Sequence, residues 1–158
     1  QKAYDIAIDA MKLVKQSGCK ARWYVLGEGN EREKLEKKIK ELGLEEDFLL
    51  LGAVENPYPY YAQADLYVHA TRFEGKSIAI QEAQVLGCPV IASDCNGNRE
   101  QIESGVDGIL CKLSPEDIAK CIEELIADPK KRQIYAKCAR ERNKENKEEI
   151  NQLLTMMR

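Results

Sequence analysis

Hydrophobic positions along the chain alternate between two spacings. A stripe with helical spacing over 4–16 is followed by an unbroken apolar run at 21–26, and this alternation repeats along most of the chain. Capping residues, glycines and prolines mark where the segments begin and end. The predicted helices cover 4–16, 31–42, 57–64, 77–86, 99–104 and a segment from Pro115 that ends before Asp128. The predicted strands cover 21–26, 48–51, 66–70, 89–93 and 108–111.

The regular alternation of strands and helices predicts an α/β fold, with a Rossmann-like parallel sheet that carries helices on both faces. Crossover connections between parallel strands are right-handed, and ligands bind such sheets outside the carboxyl ends of the strands. The segments at that edge are 27–30, 52–56, 69–77 and 93–98. The fold class alone does not name a reaction.

The composition and net charge exclude some kinds of binding partner and of cellular location. The net charge of −3 argues against a protein that binds nucleic acid irrespective of its sequence. No apolar run is long enough to span a bilayer and no signal peptide opens the chain, so we expect a cytoplasmic protein without a transmembrane segment. Because the chain starts inside a helical pattern and without an initiator Met, we expect a further segment upstream.

Six cysteines and one histidine offer little for a metal site. The cysteines form no Cys-x-x-Cys pair, and none of them lies at ligand spacing from His69. Several lie within apolar patterns, where a free thiol packs like a small hydrophobic group. We therefore expect reduced thiols, no metal and no bound cofactor.

The junction that follows the third predicted strand carries the most chemistry. There the amides of Gly75, Lys76 and Ser77 open a helix, and unpaired amides at the positive end of a helix dipole favour an anion such as a diphosphate. Glu74 and Glu82 lie where they can flank one ligand, since carboxylates accept paired hydrogen bonds from the vicinal hydroxyls of sugars. An ordinary helix start with two solvated acids is the alternative.

Six short landmarks follow one another in register along the chain. They are Gly27-x-Gly29, Leu51-Gly52-x-Val54, Ala64-Asp65, Glu74-x7-Glu82, Gly87-x-Pro89-Val90-Ile91-Ala92 and Gly105-x-Asp107-Gly108. In this order they resemble the C-terminal domain of the retaining family-four glycosyltransferases, and the resemblance covers the whole chain. Those enzymes consist of two Rossmann-like domains, an arrangement called GT-B. The resemblance implies that this chain is the donor-binding half of such an enzyme.

The resemblance also implies a role for each matching residue. Glu74 is implied to hydrogen-bond the donor sugar and Lys2 to contact the donor phosphates, as the catalytic pair. Glu82 is implied to bind the ribose hydroxyls, while Val54 and Asn56 lie in a segment that resembles the base-contacting loop of the family. The amides implied to hold the diphosphate and the sugar are those of Gly75, Lys76, Ser77 and Ile78.

The sequence departs from the commoner pattern of the family. Gly75-Lys76-Ser77 stands where Gly-Phe-Gly is commoner, and Ala79 stands in place of a proline. Together with the tyrosine-rich segment that follows Asn56, this variant resembles enzymes of bacterial capsular or surface polysaccharide assembly. The family also carries an arginine on a strand just before the position of Lys2, and that strand is not part of this sequence.

The implied reaction moves a hexose, with retention, from a nucleoside diphosphate sugar to a glycan or lipid-linked acceptor, with a UDP-sugar favoured as donor. No metal is implied, because helix amides and basic side chains stabilise the leaving diphosphate. The acceptor is implied to bind an N-terminal domain of the same protein, which also offers a route to peripheral membrane association. Without that domain we expect this chain to bind its donor and to be inactive.

Two other classes of function remain open at this point. A non-catalytic domain that binds a nucleotide or a partner protein would share the fold, although the pair of Glu74 and Glu82 counts against it. A nicotinamide-dependent oxidoreductase would need a third glycine after Gly27 and Gly29. Arg32 stands at that position, so the dinucleotide-binding fingerprint fails.

The sequence divides into two parts. Residues 1–139 form the predicted nucleotide-sugar-binding domain, truncated on its N-terminal side, and residues 140–158 form a charged helical tail. The apolar stripe of the tail consists of Ile150, Leu153, Leu154 and Met157. Because so narrow a stripe does not hold an independent helix in water, we expect the tail to fray or to pack against another domain or molecule.

Overall fold

The computed structural model describes residues 2–144, 148, 151–152 and 155. Its helices are α1 (Tyr4–Gln16), α2 (Arg32–Glu41), α3 (Tyr58–Gln63), α4 (Ile78–Val85), α5 (Asn96–Gln101), α6 (Pro115–Ala127) and α7 (Pro129–Arg142). Its strands are β1 (Trp23–Leu26), β2 (Phe48–Gly52), β3 (Tyr67–His69), β4 (Val90–Ser93) and β5 (Ile109–Cys111). Apart from α5, the predicted and observed ends agree within about two residues, the usual uncertainty of helix and strand boundaries.

The helix α5 begins and ends earlier than the predicted 99–104. The backbone becomes extended at Ile102 (φ −130°, ψ 125°), whose buried side chain packs in one cluster with α4 and β4. The buried side chain of Asp107 also accepts a hydrogen bond from the amide of Glu103 (2.8 Å). Both contacts are tertiary, so the local pattern of the sequence does not reveal where this helix ends.

The paired strands run parallel, which confirms the α/β class. β1 pairs with β2, and β4 pairs with both β3 and β5. In the described part of the chain these ladders form two separate sheets, whereas the sequence predicts one. The chain enters α1 beside the carboxyl end of β3, where the amide of Ala3 donates to the carbonyl of Ala70 (3.1 Å). Val25 of β1 and Ala70, just after β3, belong to the same hydrophobic cluster, although no ladder of hydrogen bonds joins these two strands.

Helices cover both faces of the sheet that contains β4. Ile91 packs in a large cluster together with α1 and α6, whereas Val90 and Ala92 pack in a second cluster with Ile80 of α4. Successive side chains of a strand point to opposite faces, so the two clusters lie on opposite sides of β4. The second cluster fixes α4, the helix that the predicted site depends on.

The large cluster is formed mainly where α1 packs against α6. Its members on α1 recur with helical spacing: Ala7, Ile8, Met11 and Val14. Their partners on α6 are Ile118, Ala119, Ile122 and Leu125. Each large aliphatic side chain buried there contributes about 1.5–3 kcal/mol. This packing fixes α1, and with it the position of Lys2 just before the helix.

A break at Asp128 separates α6 from α7. The Asp128 side chain accepts from the amide of Lys131 (3.0 Å), and Pro129 is the first residue of α7. The helix α7 continues through position 139, the predicted boundary between domain and tail, and Ala139 is buried. The apolar stripe predicted for the tail, Ile150, Leu153, Leu154 and Met157, lies outside the described residues.

Replacing Ser114 by alanine tests the cap of α6. The hydroxyl oxygen of Ser114 accepts from the amide of Asp117 (3.2 Å), and Pro115 follows as the first helical residue. We expect Ser114→Ala to lower the free energy of unfolding by about 1 kcal/mol, measured by urea titration. Ser114→Asp keeps an acceptor and should stay near the wild type. Equal losses in the two variants would contradict the capping role.

Candidate functional site

The loop between β3 and α4 leaves the sheet at its carboxyl edge, where a parallel fold binds its ligand. Thr71 is buried at the start of this loop, and Ser93 of β4 holds it. The Ser93 hydroxyl donates to the carbonyl of Thr71 (2.7 Å) and accepts from its amide (3.1 Å). Both bonds satisfy backbone groups that burial removes from water, so the loop begins at a fixed point.

A side-chain amide fixes the other end of the loop. Gln101 of α5 accepts from the amide of Ser77 (2.7 Å) and donates to its carbonyl (2.8 Å). The hydroxyl oxygen of Ser77 accepts from the amide of Ile80 (3.3 Å) and so caps α4. In this structure the amide of Ser77 is therefore engaged inside the protein, and the diphosphate-binding role predicted for Ser77 stays a prediction.

The polar contacts of Gln101 continue to the end of α7. The side-chain amide of Gln84 donates to the carbonyl of Gln101 (3.0 Å), and that of Asn143 donates to Oε1 of Gln84 (2.9 Å). All three side chains are buried. The sequence did not predict these contacts, because polar side chains on helices usually face water. The signal that points to Gln84 is its place between the apolar residues Ala83 and Val85 of α4.

Several amides around the turn into α4 stay open. In the part of the chain that the structure describes, the backbone amides of Gly75, Lys76 and Ile78 make no hydrogen bond. They precede or begin α4, at the positive end of its dipole, where an anion is favoured. The anion-binding role predicted for these residues stays a prediction, and the structure leaves their amides available for it.

Glu74 receives two hydrogen bonds on one carboxylate oxygen. Its Oε2 accepts from Nε2 of His69 (2.9 Å) and from Nζ of Lys2 (3.2 Å). Burial raises the pKa of Glu74, but the bonds from His69 and Lys2 outweigh this effect, so the net shift of the pKa is downward. The structure thus brings together the residues for which the resemblance implies catalysis. It adds His69, which the sequence places in the segment 69–77 at the ligand-binding edge without a role of its own.

Glu82 is half-buried on α4, and its Oε1 accepts from the hydroxyl of Tyr58 (3.2 Å). Burial raises the pKa of Glu82, and the bond from Tyr58 offsets only part of that shift. The amide of Tyr58 in turn donates to Oδ1 of Asn56 (3.1 Å), and Pro57 is the N-cap of α3. Tyr58 therefore joins Glu82 to the predicted base-contacting segment, in which Val54 is also half-buried.

Lys2 also lines a cavity of about 960 Å³. The glycine-containing loop 27–30 and Arg72 line it together with Lys2, whereas Glu74 and Glu82 do not. One guanidinium nitrogen of Arg72 donates to both carboxylate oxygens of Asp5 in this cavity (3.1 and 3.0 Å). Because Lys2 contacts Glu74 and also lines the cavity, a ligand that extends past Lys2 would enter it.

The described residues contain no group of three His, Cys, Asp or Glu side chains that converges to hold a metal ion. The six cysteines are free thiols. Within the same described part, no helix combines the length and the apolar surface that crossing a membrane requires.

The helix α5 contacts the turn at Glu74 and Gly75 through Gly97. A Cβ atom added to Gly97 would overlap the carbonyl oxygens of both residues. The φ angle of Gly97 is not positive, so the constraint here is space and not backbone conformation. The sequence places Gly97 at the ligand-binding edge of the sheet but does not reveal which segment it contacts.

Gly97→Ala tests this close approach. Inside a helix, alanine is ordinarily better than glycine by about 1 kcal/mol. Here we expect the opposite sign, a loss of roughly 1–3 kcal/mol in the free energy of unfolding, because the added methyl group displaces the turn. The matched control is Gly29→Ala, since a Cβ there meets nothing within 4 Å. A Gly97→Ala protein as stable as the control would show that the turn can move at little cost.

Known proteins resemble this chain in sequence and in fold. The family model described as "Glycosyl transferases group 1" matches residues 1–142. The N-acetylgalactosamine-N,N'-diacetylbacillosaminyl-diphospho-undecaprenol 4-alpha-N-acetylgalactosaminyltransferase of Campylobacter jejuni is 35% identical over 122 residues, which is 76% of this chain and 33% of that protein. The chain therefore spans about a third of the length of this relative.

Solved structures show the same likeness. Anabaena HepE in complex with UDP superposes with a TM-score of 0.82 at 27% identity, over 98% of this chain and 45% of that one. A mutant of S. aureus TarM, in complex with Fondaparinux, alpha-GlcNAc-glycerol and UDP, gives a TM-score of 0.87 at 26% identity, over 99% of this chain and 32% of that one. The GT-B type of fold predicted from the landmarks is thereby confirmed. Because the family model matches residues 1–142, the chain belongs to the group 1 glycosyl transferases.

Proposed function

We propose that this chain is the nucleotide-sugar-binding domain of a retaining glycosyltransferase. The enzyme moves a hexose from a UDP-sugar to a glycan or lipid-linked acceptor in polysaccharide biosynthesis. The observation that carries the proposal is the placement of Glu74 and Glu82 on either side of the turn with open amides at Gly75, Lys76 and Ile78. Carboxylates suit the hydroxyls at the two ends of such a donor, and amides suit its central diphosphate.

The sugar end of the donor is assigned to Glu74. This carboxylate is ionised at neutral pH, since the net shift of its pKa is downward. Oε2 takes the bonds from His69 and Lys2, and within the described residues Oε1 makes no hydrogen bond. One oxygen is therefore held in place, and the other can accept a hydrogen bond from a sugar hydroxyl.

The ribose end is assigned to Glu82. Its hydrogen bond from Tyr58 connects it to α3 and, through the amide of Tyr58, to Asn56. The segment that contains Val54 and Asn56 is proposed to contact the base. This arrangement supports the ribose role of Glu82, because its carboxylate is linked to the segment proposed to contact the base.

The diphosphate is assigned to the open amides and to the cations beside them. Lys76 is exposed next to Gly75, and Lys2 reaches Glu74 from the other side. When the bond between the anomeric carbon and the diphosphate oxygen breaks, the electron pair stays on the diphosphate and its negative charge grows. Fixed donors aimed at that charge lower the barrier, and in this proposal they do so without a bound metal.

The relatives support the choice of UDP and of a glycan acceptor. HepE and TarM are both described in complex with UDP, and the name of the Campylobacter jejuni relative contains a diphospho-undecaprenol acceptor. Because the chain covers about a third of that relative, the acceptor is proposed to bind elsewhere in the whole protein. Any peripheral contact with a membrane is assigned to that other part as well.

Binding of UDP and pyrophosphate by Glu82→Ala tests the ribose assignment. We expect the wild-type chain to bind UDP in the high-micromolar to millimolar range, about −4 to −6 kcal/mol. Glu82→Ala should lose about 1–3 kcal/mol of that binding energy, because the ribose hydroxyls lose a charged acceptor. Pyrophosphate, which has no ribose, should bind both proteins alike. Isothermal calorimetry measures all four affinities.

Glu45→Ala is the control for this experiment. Glu45 is exposed just before β2, at the amino end of the strand and so away from the carboxyl edge. Its loss should leave both ligands unaffected. If the wild type gives no heat with UDP at several times the expected dissociation constant, the proposed function fails. If Glu82→Ala weakens UDP and pyrophosphate equally, only the ribose assignment fails.

Glu74→Ala tests the sugar assignment. UDP should bind as it does to the wild type, because the nucleotide does not contact Glu74. UDP-glucose and UDP-N-acetylglucosamine should bind this variant no more tightly than UDP does, because the contribution of the sugar to binding is lost. In a protein that also carries the acceptor-binding part, transfer should be abolished. Near-normal turnover by that protein with Glu74→Ala would remove Glu74 from the active site.

A further inference from the structure

The imidazole of His69 is held on both sides. His69 is the one histidine of the sequence, and with 3% of its surface exposed it lies buried at the carboxyl end of β3. Its Nδ1 is 2.8 Å from the hydroxyl of Tyr67, and its Nε2 is 2.9 Å from Oε2 of Glu74. The ring therefore connects a buried tyrosine to the carboxylate assigned to the donor sugar.

The direction of these hydrogen bonds follows from the charge states. Burial lowers the pKa of His69, and the bond to Glu74 offsets only part of that effect, so the ring is neutral at neutral pH and carries one N–H. Nε2 is 2.9 Å from Oε2 of Glu74 and 3.4 Å from Nζ of Lys2. Since an ionised Glu74 can only accept, the shorter contact places the proton on Nε2. Nδ1 must then accept from Tyr67, whose hydroxyl stays protonated because burial raises its pKa. Each hydrogen bond thus runs from Tyr67 through His69 toward Glu74.

Glu74 has two partners, and they differ in how firmly they are held. The side chain of Lys2 is 43% exposed, and its ammonium group sits at the end of a flexible chain 3.2 Å from Oε2. His69 is a rigid ring, buried, and closer to the same oxygen. If Lys2 turns toward a diphosphate, as the proposed function requires, His69 is the partner that still holds Glu74.

The chain of contacts extends to the nucleotide side. The ring of Tyr67 packs edge-on against Tyr61 of α3, with 5.3 Å between the ring centroids. The same helix carries Tyr58, which bonds Glu82. A single short helix thus touches both carboxylates of the site, directly at Glu82 and through Tyr67 and His69 at Glu74.

We propose that His69 is a positioning residue for the donor sugar. It holds Oε2 of Glu74 so that Oε1 stays free for a sugar hydroxyl, and Tyr67 holds the ring in the tautomer that this requires. This inference rests on the proposed function, because it assigns the sugar end of the donor to Glu74. It predicts that His69 affects the contribution of the sugar to binding and leaves the nucleotide contribution unchanged.

A pair of variants separates this role from simple packing. His69→Leu fills the space without a donor, and His69→Gln offers a side-chain N–H in place of Nε2–H. We expect His69→Leu to lower the affinity for UDP-glucose and UDP-N-acetylglucosamine by roughly 10-fold relative to UDP, the size expected for a lost hydrogen bond to a charged group. His69→Gln should restore most of the lost affinity for the two UDP-sugars. Equal losses for UDP and for the UDP-sugars, or no loss in a folded His69→Leu protein, would overturn the proposal.

Nuclear magnetic resonance of the imidazole nitrogens tests the same contact without any ligand. Because the chain has one histidine, long-range ¹H–¹⁵N spectra report His69 without ambiguity. We expect the Nε2–H tautomer and a titration below the usual range for histidine. In Glu74→Ala the pKa of His69 should fall further, because the bond that raises it is lost. An Nδ1–H tautomer would overturn the proposal, and so would a pKa of His69 that does not change in Glu74→Ala. Both results can be obtained even if His69→Leu and His69→Gln do not fold.

The results of these experiments distinguish a failure of the proposed function from a failure of the inference about His69. A wild-type chain that binds no UDP refutes the proposed function, while the tautomer still decides whether His69 holds Glu74. A chain that binds UDP but gains nothing from the sugar refutes the role of Glu74, and with it the positioning role of His69. A chain that shows the sugar preference together with the wrong tautomer refutes the inference alone.

Discussion

The loop between β3 and α4 is buried at both of its ends, and every polar backbone group buried there needs a partner inside the protein. Leaving one such group unpaired costs about 1–3 kcal/mol, a large fraction of the stability of a small domain. Ser93 supplies the partners at Thr71, and Gln101 supplies them at Ser77. With its ends held in this way, the loop can leave the amides of Gly75 and Lys76 open. The pairing at both ends thus lets the middle of the loop keep backbone amides that face solvent and are open to a ligand.

The two acidic residues of the site differ because of what donates to them. Burial acts on both in the same direction and raises the pKa of each carboxyl group. Glu74 has a cationic donor and an imidazole, which reverse the shift, whereas Glu82 has the neutral hydroxyl of Tyr58, which does not. One motif therefore holds two carboxylates of different proton affinity. This difference comes from side chains outside the motif.

The sequence predicts the elements of the fold well because the signals for them are local. Helical stripes, apolar runs and caps such as Ser114 lie within a few residues of the boundaries they set. The exception, α5, ends where the distant packing of Ile102 and the side chain of Asp107 decide the backbone. At the site, the contact between Lys2 and Glu74 joins residues 72 positions apart, and only the family resemblance anticipates it. Gln101 and Asn143 were not predictable, since nothing near them in the chain marks a polar residue as buried.

The buried amide chain from Ser77 through Gln101 and Gln84 to Asn143 also bears on the order in which the protein forms during synthesis. A chain made from its N-terminus has the whole loop and all of α4 long before Asn143 leaves the ribosome. Until then Oε1 of Gln84 lacks the partner it has in the finished fold, and the surface that α7 covers on α4 is open to solvent. The contacts that hold this edge of the sheet are thus complete only once Asn143 has emerged, although Glu74 and Glu82 are made well before it.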